Sequence, residues 1–371
     1  MNFDFSEEQA MLRETVARYM REQYGFEARR KLLAGDTAWS ASHWKQYAQF
    51  GWLGLIVPEE FGGLACSFME LALVLEQMGT AMALEPIIAS AVLSTRLIDV
   101  SGNQALRAHW LPQLAAGVAI FALAHDEPAN HDQAALPQTQ ALPEAGGFRL
   151  RGHKTMVLGG CAADHYIVAA RIVDGEAERL GLFVLDATCP GLVLEPYRLV
   201  DGRGAADLRL DDVDVPAAAL LAEGVAAASA LDEALDWARL AAMSEALGAI
   251  VGCLDATSAY VKTRVQFGQK IGKFQAVQHL MAEMFVDSQE SRSILFQGIV
   301  HLDDDAVARR RAIDATKVVI GEAGRRVAAI GVQLHGGYGM TEEYRISHHF
   351  RQLFVLEKLF GDSRVCLERM S

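Results

Sequence analysis

From Leu231 to about Gln266 the chain repeats apolar side chains at helical spacing, with only Gly248 and Gly252 as weak points. At 1.5 Å per residue this predicts roughly 50 Å of helix. A helix that long draws its stability from packing along other helices rather than from propensity. Three further helical stretches follow, Gln275–Leu302, Asp304–Ile330 and Glu342–Phe360. Together they predict a C-terminal helix bundle over residues 223–371.

The first 118 residues also read as helical. Ser6-Glu-Glu-Gln9 has capping-box spacing, and Ser67-Phe-Met-Glu70 repeats it, leading to Met78 with Gly79 as a stop. Between them Val57-Pro-Glu-Glu-Phe-Gly62-Gly63 marks a loop. From 119 to 222 short apolar runs (Ala119–Ala124, His165–Ala170, Gly181–Asp186) are separated by Gly, Pro and Asp, the texture of an antiparallel β domain. Glu127 to Gly147 is rich in Pro, Gln and Ala and is expected to be a surface excursion. The fold class is therefore α+β, in three segments: helical 1–118, antiparallel β 119–222 and helix bundle 223–371.

The chain has 371 residues, 51% of them hydrophobic, enough for a large buried core. Lys+Arg 34 against Asp+Glu 47 gives 34 − 47 = −13, which argues against a nucleic-acid partner. The five cysteines are scattered, with no CxxC pair and no metal-ligand spacing, so no metal site is expected. The opening Met1-Asn-Phe-Asp-Phe-Ser6-Glu-Glu is acidic, unlike a secretory signal or an Arg-rich transit peptide. No charge-free run of about 18 apolar residues occurs. A cytoplasmic chain without a membrane span is the expectation.

Two motifs carry chemistry. Arg264-x-x-Phe267-Gly268 ends the long helix and Phe274-Gln275 opens the next. An Arg and a Gln on adjacent helix ends suit a pyrophosphate and an adenine edge. The same Arg also suits a solvated helix C-terminus, where a cation complements the dipole. In Gln333-Leu334-His335-Gly336-Gly337-Tyr-Gly339 the glycines permit close backbone approach and positive φ before another helix. A plain interhelical turn fits those glycines as well.

In combination, at this separation and in this order of segments, these motifs resemble the acyl-CoA dehydrogenase family. The resemblance runs over nearly the whole chain and includes Val57-Pro-Glu-Glu-Phe-Gly-Gly, Asp126-Glu127-Pro128 and Gly152-His-Lys154. It is nearest to small subunits of bacterial two-subunit dehydrogenases of the pimeloyl-CoA type, through Tyr344-Arg-Ile-Ser-His-His-Phe-Arg351 and Leu359-Phe-Gly361-Asp362. The resemblance implies FAD as cofactor, with Arg264, Phe267, Gln275, Gln333, Leu334, His335, Gly336 and Gly337 reaching FAD bound chiefly by a neighbouring subunit. It further implies an acyl-CoA substrate with Arg239 near it, a tetramer (here a hetero-oligomer with a large-subunit paralogue) and an electron-transfer flavoprotein as acceptor. Fatty acyl, dicarboxylyl, ring-derived or steroid side-chain thioesters are the implied substrates.

The same comparison exposes gaps. Family members carry the proton-abstracting Glu at one of two positions, which here hold Gly361 and Ala238. Glu245, seven residues along the same helix face, and Asp362, next to the empty position, are the substitute catalytic carboxylates. Asp236 lies about 200° around the helix from Ala238. For all three, solvation or helix capping is the commoner role of an acid. The usual Thr-Glu-Pro-x-x-Gly-Ser-Asp loop becomes Asp126-Glu127-Pro128-Ala-Asn130-His131-Asp132, and the Trp-x-Thr edge beside the flavin becomes Met156-Val157-Leu158. Two rivals follow: a catalytically silent partner that completes the FAD site of another subunit, and another flavin chemistry of the oxygenase or nitroalkane oxidase kind.

Overall fold

The computed structural model describes residues 5–37, 39–128 and 136–371. Helices α1 (Glu7–Gln23), α2 (Phe26–Ala34), α3 (Ala41–Gln49), α4 (Phe68–Ala81), α5 (Thr95–Val100) and α6 (Gln104–Ala115) come first. Strands β1 (Phe121–Ala124), β2 (Gln140–Glu144), β3 (Gly147–Leu158), β4 (His165–Asp174), β5 (Ala177–Asp186), β6 (Leu192–Arg198), β7 (Gly204–Pro216) and β8 (Leu220–Glu223) follow. Helix α7 (Gly224–Thr263) leads through the short strands β9 (Val265–Gln266) and β10 (Gln269–Lys270) to α8 (Gln275–Val300), α9 (Ala306–His335), α10 (Arg345–Lys358) and α11 (Ser363–Met370). The fold is α+β, with helices at both ends of the chain and a central sheet.

Two compact units emerge. One gathers Gly35–Ser67 and Leu84–Ala238. Its sheet has the order β6-β7-β3-β2-β4-β5-β8, with β1 paired to β4. Most pairings are antiparallel as expected, but β1 and β2 each run parallel to β4. The inward residues Leu150, Val168, Phe183 and Leu208 are fully buried and form its core. Within the Pro- and Gln-rich stretch expected as a surface excursion, Gln140–Glu144 is an inner strand, β2, registered Ala141 to Leu150. Pro143 is tolerated because β2 meets β4 only through Gln140 and Ala141. The rest of that stretch from 129 to 135, with Asn130-His131-Asp132, lies outside the described residues.

The other unit gathers Met1–Ala34, Phe68–Ala83 and Arg239–Ser371. Ser6 caps α1 in a full capping box with Gln9, as its spacing requires. Gly79 does not stop α4, which runs on to Ala81. A Cβ on Gly79 would lie 2.0 Å from the Glu245 carbonyl oxygen, and one on Gly248 1.8 Å from that of Glu76. These two glycines let the backbones of α4 and α7 touch. Gly248 is thus a packing site inside a continuous helix.

Helix α7 starts seven residues earlier than its apolar pattern and reaches 40 residues, roughly 60 Å. Among the described residues it alone is long and apolar enough to cross a membrane, but 83% of its most apolar window is buried inside the protein. That is the burial of a core helix. Its C-terminus is not where Phe267-Gly268 sits. The chain makes a two-residue hairpin, with Gln266 paired to Gln269 and both turn residues at positive φ, Phe267 at 52° and Gly268 at 78°, the turn that matches strand twist. The pattern Asp304–Ile330 also ends short: α9 continues through Gln333, Leu334 and His335, and Gly336–Met340 forms a tight 3-10 turn. Helix α11, which no sequence pattern announces, closes the chain.

Candidate functional site

The end of α7, the hairpin, the start of α8 and the end of α9 surround a groove of about 800 Å³. Arg264, Phe267, Gln333, Leu334, His335, Gly336 and Gly337 all line it. Gln275 does not; it is the exposed first residue of α8. Tyr260, Phe274 and Tyr338, which belong to or adjoin the motifs but are not among the expected FAD-binding residues, and Val277 and Leu280, which lie outside them, supply apolar and aromatic wall. Tyr260 sits one helical turn before Arg264, and Val277 close after Phe274 at the start of α8, so helical spacing from the motif residues was the available signal.

The groove has an aromatic floor. Tyr260 stacks on His335 with centroids 4.1 Å apart and planes at 27°. Tyr344 lies 5.0 Å from His335 and 4.7 Å from Tyr338. His335 Nδ1 donates to the Gly331 carbonyl at 2.7 Å, which fixes the tautomer and leaves Nε2 as a buried acceptor with no partner. Burial keeps this imidazole below its ordinary pKa and therefore neutral. Gly336 has φ 61°, and a Cβ on Gly336 or Gly337 would meet no atom within 4 Å. The cradle is open where side chains are missing. Arg264 is exposed at the lip, its N–H bonded to the Tyr260 carbonyl at 2.8 Å and its carbonyl receiving Ile271 N–H. It stands just past the end of α7 and lines the groove, a position compatible with both readings of its motif.

The candidate carboxylates are engaged elsewhere. Asp362 is the N-cap of α11, accepting from Val365 N–H at 2.9 Å, and it pairs with Lys358 at 2.9 Å. The Val365 N–H bond and Lys358 hold its pKa below the usual range. Glu245 is 4% exposed, and its Oε1 accepts from Gln352 Nε2 at 2.9 Å. Asp236 is fully buried rather than solvated. At Gly361 the backbone has φ 100°. The nearest atoms to a Cβ there belong to Val365 and the Arg369 guanidinium, 3.8 to 4.0 Å away.

Arg239, expected near substrate, is 1% exposed and donates through Nε to the Phe360 carbonyl at 2.9 Å. Lys317, also buried, donates to the carbonyls of Leu356 and Glu357, both at 2.9 Å. Burial pushes its pKa down to about 7. Two cations thus pin the turn from α10 to α11, in which Phe360 (φ 61°) and Gly361 are consecutive positive-φ residues. Lys317 has no motif around it, so nothing in the sequence singles it out.

In the other unit the two quoted motifs Asp126-Glu127-Pro128 and Gly152-His-Lys154 meet. Lys154 Nζ lies 2.6 Å from Glu127 Oε1, with both side chains buried. Glu127 also accepts from the backbone N–H of Gln138 and Thr139. Burial opposes its ionisation, but Lys154 and Thr139 outweigh that and lower its pKa; Lys154, desolvated, falls to about 8. This pair holds the strands on either side of the loop. At the Met156-Val157-Leu158 edge, Met156 is at φ 50°, and its N–H donates to Tyr197 Oη at 3.1 Å and to Asp207 Oδ1 at 3.0 Å.

Two family models match: "Acyl-CoA dehydrogenase, N-terminal domain" over residues 6–118 and "Acyl-CoA dehydrogenase, C-terminal domain" over 225–371. The probable acyl-CoA dehydrogenase YngJ of Bacillus subtilis is 28% identical over 373 residues, covering 98% of this chain and 97% of that protein. The acyl-CoA dehydrogenase IpdE2 of Mycolicibacterium smegmatis is 30% identical, with 98% of each covered. Among solved structures, the ChsE4-ChsE5 complex from Mycobacterium tuberculosis superposes with a TM-score of 0.89 at 26% identity, covering 100% of this chain and 98% of that one. Groove, motifs and relatives agree, and the chain belongs to the acyl-CoA dehydrogenase family of FAD-dependent flavoprotein oxidoreductases.

Proposed function

We propose that this chain is one subunit of a heteromeric, cytoplasmic acyl-CoA dehydrogenase, in which it completes an FAD site while a paralogous partner supplies the proton-abstracting carboxylate. The reaction introduces a Cα–Cβ double bond into an acyl-CoA thioester. The observation that carries the reading is the contrast between an intact groove and the α10–α11 turn. At that turn Gly361 has no side chain and Asp362 is spent on Val365 N–H and Lys358.

The groove fits FAD on this chain's own atoms. Gly336 and Gly337 leave the cradle free, His335 Nε2 is a buried acceptor without a donor, and Arg264 offers a planar set of N–H donors to a phosphate. Tyr260 and Tyr338 give flat apolar surface. FAD supplies the hydride-accepting chemistry when bound. The protein's part here is to hold one edge of it and to exclude water. The Met156 N–H, already shared by Tyr197 and Asp207, supports the idea that this chain's own β edge does not hold a second flavin. The similar ChsE4-ChsE5 structure is a complex of two components, which supports a hetero-oligomer here. Electrons leave to an electron-transfer flavoprotein on this reading, and the substrate is an unusual acyl group, dicarboxylic, cyclic or steroid-derived.

The test is to co-express the chain with a large-subunit paralogue and count flavins per pair. One flavin per heterodimer, with turnover only in the pair, is the expected result. Two tightly bound flavins per pair, or strong turnover by the isolated chain, would sink the proposal. In the second case a local carboxylate serves as base, and Glu245→Gln and Asp362→Asn would identify it.

A further inference from the structure

The rim of the groove differs in charge from the rest of the molecule. The chain as a whole carries −13, yet between Asp255 and Glu283 its only formally charged residues are Lys262, Arg264, Lys270 and Lys273. The fold draws these four together. Lys270 pairs across the hairpin with Val265, and Ile271 N–H donates to the Arg264 carbonyl at 2.9 Å. Gly272 packs so closely on α7 that a Cβ there would lie 2.9 Å from the Val261 carbonyl oxygen. Lys273 is thereby returned to the end of the helix that carries Lys262.

All four residues are exposed, and none has an ion-pair partner among the described residues. Asp255, two turns back along α7, feels Lys262 only through space. Helix electrostatics accounts for part of the set: Lys262 lies in the last turn of α7, where a cation complements the dipole. It does not account for Lys273. That residue stands just before α8, where the dipole disfavours positive charge, and no acidic side chain occupies the first turn to offset it. Like charges gathered this way also repel one another. Beside them the hairpin holds out Phe267, 90% exposed, and Val265, 54% exposed. An apolar tip flanked by unpaired cations has the anatomy of an interface, an apolar centre with a polar rim.

We infer that this cationic rim is a docking surface for an acidic face of the FAD-bearing partner subunit, seated around Phe267; the inference rests on the function proposed above. Charge complementarity selects that occupant. An acidic face is repelled by the net charge of −13 over most of the chain and attracted here, so the rim orients the encounter as well as hastening it. A second copy of this chain, set rim to rim, would bring like charges face to face. Lys262, Lys270 and Lys273 stand outside the lining of the groove. Their charge is therefore directed at the surface that closes over the groove rather than at a cofactor inside it.

The test is the association kinetics of the full chain with its large-subunit paralogue, as salt rises from about 0.01 M to about 1 M and the screening length falls from about 30 Å to about 3 Å. The association rate should fall at least about 10-fold over that range. A variant combining Lys262→Gln, Lys270→Gln and Lys273→Gln should associate about 10-fold more slowly at low salt and converge on wild type at high salt. Its dissociation rate should stay within about twofold of wild type, because rim charges act on encounter. Lys273→Glu alone should slow association in the same sense. A flat salt profile, variants that associate at low salt as fast as wild type, or a defect confined to flavin retention by the assembled pair would each overturn the inference. The wild-type salt series and Lys273→Glu keep the test decisive even if the combined variant does not fold. One flavin per pair with unaltered rates sinks the docking surface and leaves the proposed function standing. Two flavins per pair sink that function, while the rates still judge the rim.

Discussion

A carboxylate at position 361 would have to be carried by a backbone conformation that L-residues resist. At φ 100° a side chain costs about 1–2 kcal/mol or more, and it would leave the backbone toward Arg369 and Val365. Gly361→Glu is therefore expected to destabilise the chain by about 2 kcal/mol and to give no dehydrogenation by the isolated chain. Acyl-CoA-dependent bleaching of flavin in that variant would contradict the geometry. Asp362 makes the opposite prediction. As an N-cap it should lose about 1 kcal/mol on replacement by Ala and little on replacement by Asn, which caps equally well. If Asp362 is only a cap, Asp362→Asn leaves turnover of the heteromer unchanged. Its depressed pKa gives stability present above the unfolded carboxylate value, and this is lost as pH falls through the folded value.

At the scale of elements, the meeting of α4 and α7 rests on absent side chains. Gly248→Ala would drive a Cβ into the Glu76 carbonyl, backbone that cannot swing aside. A loss of about 3 kcal/mol or more in urea unfolding is expected, and a shift under about 1 kcal/mol would show that the helices slide apart freely. Helix α10 predicts a pH response. His348 and His349 are held below the ordinary 6.5, both chiefly by burial, with Arg29 and Arg351 also opposing charge on His348. Their unfolded forms bind protons first, so stability is present above about 6.5 and falls as pH drops. For His349 the decline continues toward about 3, at about 1.4 kcal/mol per pH unit while it alone titrates. Denaturation midpoints at about pH 7.5 and about pH 5.5 should differ in the wild type and differ less in His349→Leu. Such contacts explain what the sequence could not yield. Gly79 reads as a helix stop because the residue it accommodates, Glu245, lies far along the chain. Gln140–Glu144 reads as a loop because Pro143 hides a strand whose partners come later in the chain. The Ser6–Gln9 box was legible because every atom in it is local.

For the molecule as a whole, the grouping of the motif residues was easier to foresee than their local geometry. Arg264, Phe267 and Gln333–Gly337 come together in one groove, although the segment read as a helix end is a hairpin and the segment read as a loop is mostly helix. Residue identity fixes what a groove can bind, whereas turn type depends on a φ of 52° at Phe267 that no propensity announces. Gly361 and Ala238, at the two positions where the family resemblance expects a glutamate, were visible in the sequence; the cap and ion pair that occupy Asp362 were not, since they need α11 in place. This separates folding from cofactor retention in a measurable way. Arg264 is exposed and packs little, so Arg264→Ala should leave the stability of the isolated chain within about 1 kcal/mol of wild type. In the heteromer the same change removes charge-assisted bonds to a phosphate, worth about 2–3 kcal/mol, so flavin affinity should weaken by roughly 30- to 150-fold. Arg264→Lys keeps the charge but not the planar fork and should fall between. The readout is flavin released on dilution of the purified pair. If Arg264→Ala held flavin as tightly as wild type, the groove would not be serving the cofactor.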